Sequence, residues 1–156
     1  MVKYLIIFFI SMVPIVELRG AMPYAVGYDL PYLPALAVCV LGNMLPVPFI
    51  YFFARKILIW GKDKKFIGKF FTFCLVKGEK AGQKLAKRAG RKGLAVALML
   101  FVGIPIPGTG AWTGTLGASF LDMGFKSTVA SVSLGVIIAG IIMAAASTGV
   151  FAVFGI

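Results

Sequence analysis

Glu17 and Arg19 are the only charged residues between Lys3 and Asp29, and they stand two positions apart in the stretch PIVELRG. Charges placed at membrane depth are costly, and where they occur they mark binding or transport sites. Arg19 suits a phosphate or a carboxylate, because its planar guanidinium donates paired hydrogen bonds and keeps its proton. Glu17 then either holds Arg19 in place or carries a proton. In the competing reading Glu-Leu-Arg lies at the aqueous surface after one short span.

A second group of polar atoms falls in VGIPIPGTGAWTG, residues 102–114, inside an uncharged run from Leu94 to Leu121. Pro105, Pro107, Gly108 and Gly110 are helix breakers. The Gly108 and Gly110 amides, the Thr109 and Thr113 hydroxyls and the Trp112 ring could form a polar cradle. Taken with Arg19, they favour an anionic headgroup. Trp112 beside Glu17 would instead hold an organic cation, and tryptophan is also a common interfacial anchor. Asn43, in an apolar segment that carries Pro46 and Pro48, completes the candidate substrate-binding residues.

Other chemistry is excluded by what the chain lacks. It has no histidine, and its two cysteines, Cys39 and Cys74, have no companion ligands, so no metal site or cofactor is expected. Nucleophile-elbow, phosphate-loop and dinucleotide-binding spacings are missing, and the five acidic residues are scattered, so the chain reads as a non-enzyme.

The elements that must position these residues are membrane elements. The 156 residues are 60% hydrophobic with a mean hydropathy of +0.99, values that point to an integral, all-α membrane protein. Sixteen Lys and Arg stand against five acids, and 13 of the basic residues lie between Arg55 and Lys92. Because apolar segments flank that cluster, anionic lipid headgroups rather than nucleic acid are the expected partner. Within 62–92, Phe66, Ile67, Phe70, Phe71 and Cys74 recur at helical spacing, which predicts a basic amphipathic helix in the cytoplasmic interface.

Residues 35–54 are long enough to cross a hydrocarbon core, with Pro46 and Pro48 expected to kink or unwind the helix. The start of the chain resembles a signal peptide but is read as structure. Residues 4–13 and 21–28, joined by PIVELRG, predict one hairpin of half-membrane arms, and 94–103 and 111–121 predict another. Shifts of 90 within the hairpins (Gly20-Ala21 onto Gly110-Ala111) and of 93 in the spans (Leu41-Gly42 onto Leu134-Gly135) suggest an internal repeat.

One span per half makes this an inverted repeat around a midplane site, a common transporter plan. The single transmembrane domain then divides into a first repeat (1–61), the basic linker (62–92) and a second repeat (93–156). Each repeat is a re-entrant helical hairpin plus a transmembrane helix. Four full spans are the competing topology.

VPIVELRGAMPYAVG and GIPIPGTGAWTGTLGA resemble the two most recognisable stretches of the small multidrug export protein family, and the resemblance covers nearly the whole chain. That family in turn is similar to the DedA or SNARE-associated membrane proteins, which share two re-entrant hairpins and include translocases of undecaprenyl phosphate. The chain departs from that second pattern at Ile104 and Gly110, where those proteins carry arginines. The resemblance implies a multi-pass protein of a bacterial or archaeal cytoplasmic membrane. It would move a lipid phosphate or small amphiphile, driven by a proton or sodium gradient. The small size of the chain, with few helices to surround a site, separately suggests a homodimer. Proton-coupled export of lipophilic cations is the alternative, and a lipid scramblase or assembly factor a further one.

Overall fold

The computed structural model describes residues 1–14, 16–64, 68–106 and 109–154, all helix and short connections. The stripe expected at Phe66, Ile67 and the side chains of Phe70, Phe71 and Cys74 lies outside the described residues, as do Pro107 and Gly108 of the site. The elements are α1 (Val2–Met12), α2 (Glu17–Gly27), α3 (Tyr32–Met44), α4 (Pro46–Lys62), α5 (Gly68–Gly103), α6 (Ala111–Phe120) and α7 (Phe125–Phe154).

Two helices among the described residues are long and apolar enough to cross a membrane, Tyr32–Lys62 and Phe125–Val150. The first is α3 and α4 taken together. Leu45 between them keeps helical angles (φ −60°, ψ −42°), so the expected unwinding at Pro46 and Pro48 does not occur. The prolines occupy the first turn of α4, where a missing N–H removes no intrahelical bond of that helix. By contrast α1, α2 and α6 have 11, 11 and 10 residues, each about 16 Å at 1.5 Å per residue, roughly half of a 30 Å hydrocarbon core.

α5 runs for 36 residues but changes course at Gly90, whose φ of 70° and ψ of 169° lie in a region essentially confined to glycine. Most of the basic stretch precedes that point. Arg91 and Lys92 follow it and lead into the apolar arm, which ends at Gly103.

α1 and α2 pack antiparallel on each other and on α3, and the apolar arm of α5 packs with α6 on α7. The two groups cross over: α2 lies on α7, and α6 on α4. The core between them contains Ile7, Leu18, Ala21, Met22, Val102, Ala111, Ala118, Val132 and Val136. Phe9, Leu33, Phe49, Phe53 and Ile141 face outward, an apolar exterior suited to lipid.

Matching details recur 93 positions apart. Both hairpins end in the same helix cap: Asp29 N donates to Val26 O (3.0 Å) and Leu30 N to Ala25 O (3.1 Å), as Asp122 N donates to Ser119 O (3.3 Å) and Met123 N to Ala118 O (3.0 Å). Asp29 and Asp122 share the left-handed φ of 55°, which Asp tolerates better than most residues. Gly42 seats α3 against Ser11 and Phe8 of α1, and Gly135 seats α7 against Met99 and Val102 of α5.

Across these caps and glycine contacts the spacing is 93, against the 90 expected from Gly20-Ala21 and Gly110-Ala111. α2 begins at Glu17, three residues before Gly20. Glu17 and Arg19 accordingly belong to the first turn of α2 rather than to the connection before it.

Candidate functional site

The tips of the two hairpins meet and exchange hydrogen bonds. Gly110 caps α6 with an extended backbone (φ −80°, ψ −170°), which leaves the first amides of that helix directed outward. Glu17 fills the space before them: Ala111 N donates to Oε2 (3.2 Å) and Trp112 N to Oε1 (3.0 Å). The carboxylate thus neutralises the positive end of the α6 dipole as well as capping it. The fit requires glycine at 110, because an added Cβ would stand 1.7 Å from Oε2. Glu17 is only 5% exposed.

Arg19, two residues on in the same turn of α2, reaches the other side of the facing tip, towards the end of α5. Its guanidinium donates to Ile106 O, to Ile104 O (3.3 Å) and to Thr109 Oγ1 (2.9 Å). These acceptors lie just past the C-terminus of α5, where carbonyls have no helical partner and a cation is favoured. The Thr109 hydroxyl lies 2.9 Å from both the Ile104 and the Ile106 oxygens, tying this end of the connection together.

Trp112 reaches the other way, its Nε1 donating to Met12 O (3.2 Å) at the C-terminus of α1. Trp112 is the residue 93 positions after Arg19. Each of the pair therefore holds the exposed carbonyl end of the other hairpin's first arm.

Five of the residues singled out from sequence converge here: Glu17, Arg19, Thr109, Gly110 and Trp112. Pro105 lies between the two carbonyls that Arg19 holds, and Thr113 is exposed on the next position of α6. Asn43 is buried on α3, and among the described residues its Oδ1 has no hydrogen-bond partner and no hydrogen bond joins it to the tips. Thr115, also buried with an unpartnered Oγ1, went unnoticed in the sequence because a threonine one turn into an apolar helix carries no signal of its own. The Ile104 and Ile106 oxygens were missed for the plainer reason that they are backbone atoms.

At the open end of the second hairpin, Arg55 of α4 pairs with Asp122. Next to that pair Tyr51 Oη donates to Met123 O, and Ser119 Oγ donates to Tyr51 O (3.0 Å).

A family model described as "Putative small multi-drug export protein" matches residues 17–142, which include α2, the whole of the first long helix, the second hairpin and the first 18 residues of α7. The chain belongs to this family. No curated protein and no solved structure matches it. Family membership together with the apolar helices makes it a membrane protein.

Proposed function

We propose that this member of the export family is a transporter for a small amphiphile, that its hairpins are the re-entrant parts of an inverted repeat, and that their interlocked tips are the closed gate. The observation that carries the reading is the exchange of Glu17, Arg19 and Trp112 between two breaks in the apolar helices. Broken backbone at membrane depth is tolerated where protein or a watery cavity satisfies it, and here side chains of the facing half do so. The matched caps at Asp29 and Asp122 and the matched contacts of Gly42 and Gly135 support the repeat.

The basic residues of 62–92 favour the cytoplasmic side for that end of α4 and for the Arg55 and Asp122 pair, so hairpin two opens inward and hairpin one outward. Lysines of this segment would rest on anionic headgroups.

Opening the gate means giving the held groups other partners. A phosphate-bearing amphiphile would take Arg19 from the Ile104 and Ile106 carbonyls, its charge replacing theirs. A lipophilic cation would instead draw Glu17 from the α6 amides, with a proton taking its place in the return step. The family description favours this second reading, in which the protein is a proton-coupled drug exporter.

Transport in proteoliposomes separates the two. Uptake of a fluorescent lipophilic cation that is driven by a proton gradient, lost in Glu17→Gln and retained in Arg19→Lys selects cation export. Flip of a short-chain polyprenyl phosphate lost in both variants selects the anion. Neither activity in the wild-type protein would refute the transporter reading.

A further inference from the structure

The two halves differ at one place where their backbones agree. Asp122, the left-handed residue that ends α6, is neutralised by Arg55 of α4. Asp29 ends α2 in the same conformation, and α2 packs on α7 as α6 packs on α4. The residue of α7 that corresponds to Arg55, 93 positions on, is Thr148. Thr148 and Asp29 line one cavity of about 360 Å³, together with Met22, Ala25, Leu30 and Tyr32.

Thr148 offers Asp29 no charge, and its hydroxyl donates to Ala144 O of its own helix (2.6 Å). Lys3 is nearby in the fold but is engaged elsewhere, donating to Tyr28 O (3.3 Å) with its ammonium 5.1 Å from the Tyr28 ring centroid. Among the described residues no side chain pairs with the Asp29 carboxylate.

One half therefore holds an acid paired with a tethered guanidinium, while the other holds the acid beside a cavity and a threonine at the position of the guanidinium. We infer that this cavity binds an amphipathic cation, with a guanidinium or alkylammonium head on Asp29 and an apolar body against Met22, Ala25 and Leu30. The head would take the place that Arg55 holds against Asp122. The Tyr32 ring beside the acid suits a cation, and a mostly apolar lining with a single convergent charge is the usual make-up of a pocket for such a molecule. An ammonium of this kind has two sources, a soluble lipophilic amine or the headgroup of an aminophospholipid. The inference goes beyond the transport reading and is decided by binding alone, whether or not the hairpin tips open.

The probe is benzylguanidinium, titrated calorimetrically into the detergent-solubilised protein. Saturable binding at one site is expected, weakened at least tenfold in Asp29→Asn and absent in Thr148→Arg, which supplies the tethered guanidinium found in the other half. Asn tolerates the left-handed backbone at 29, so that variant should fold, and it decides the matter if Thr148→Arg does not. Asp122→Asn should bind as the wild type does. Equal binding by wild type and Asp29→Asn would overturn the inference. So would binding that appears only in Lys3→Ala, because Lys3 would then be the native partner of Asp29. Repeating the titration in nanodiscs assigns the source: phosphatidylethanolamine that competes where phosphatidylcholine does not identifies a lipid headgroup, and equal binding in both identifies a soluble amine.

Discussion

The contact between Glu17 and Gly110 makes a quantitative test of the interlocked tips. In Gly110→Ala the new Cβ would fall 1.7 Å from Oε2 and 2.2 Å from the carboxyl carbon. Of the two groups in conflict, the end of the Glu17 side chain is the one free to move. Moving it abandons the hydrogen bonds from Ala111 N and Trp112 N. Bonds to a charged acceptor contribute about 1.5–3 kcal/mol each, so the low end for both gives a loss of roughly 3 kcal/mol. In a Glu17→Ala background the space is already empty, and Gly110→Ala should cost only the difference between the two residues as helix caps, about 1 kcal/mol or less.

The cap difference is common to both backgrounds and cancels, so the two substitutions are expected to couple by about 3 kcal/mol, well beyond the roughly 0.5 kcal/mol scatter of independent sites. Equilibrium unfolding of the four proteins in mixed micelles, followed by tryptophan fluorescence, measures it. Additivity would show that Glu17 does not cap α6, and the gate would lose its central contact.

Trp112→Phe keeps an aromatic side chain, though a smaller one, and removes the bond to Met12 O; it should cost at least about 1 kcal/mol in unfolding followed by circular dichroism. Gly90→Ala places a Cβ at φ 70° and should cost about 1–3 kcal/mol or straighten α5; spin labels at Lys80 and Val96 would report straightening as a longer distance. Thr115→Val removes a buried hydroxyl whose oxygen has no partner, so the thermal midpoint should stay level or rise; a fall would mean that a bound water or ion satisfies it. Single cysteines at Asp29 and Asp122, in a protein with Cys39 and Cys74 replaced, should react with an impermeant maleimide from opposite sides of the membrane. Reaction of both from one side would remove the inverted topology.

Much of this was readable from the chain because proline, glycine and charge are conspicuous in an apolar sequence. The run from Ile104 to Gly110 marked the second break, and two charges in an uncharged stretch marked Glu17 and Arg19 as belonging together in a site. What the sequence hid was the direction in which they work. Residue type suggested that Arg19 faces a ligand anion, yet a guanidinium is satisfied as well by the carbonyls just past the end of α5, and backbone atoms leave no trace in composition. The prolines at 46 and 48 were half legible: the helix divides there, α3 ending at Met44 and α4 beginning at Pro46, but it does not unwind. Proline breaks a helix in its interior but is harmless in a first turn, and sequence alone did not show that a new turn begins at Pro46. Position 29 was hidden altogether, since a single aspartate after a helix reads as an ordinary cap until its counterpart at 122 is seen with a cation on it.

The proposed two-fold relation also explains why its central residues are unlike one another. The position matching Glu17 is Gly110, and the two are in contact. A second glutamate at 110 would set two carboxylates against each other in a site only a few per cent exposed, where like charges repel most strongly. A glycine at 17 as well would leave the α6 amides bare. One acid facing one glycine satisfies both conditions, and neither half could meet them if the repeats were identical. Arg19 and Trp112 follow the same logic, because each must donate to a carbonyl end while only one counter-charge for Glu17 is needed nearby. An exchange of the first pair, Glu17→Gly with Gly110→Glu, should therefore recover part of the stability that either substitution loses alone. Recovery would show that the acid serves whichever tip carries it, and failure would show that α2 and α6 are not equivalent at their tips.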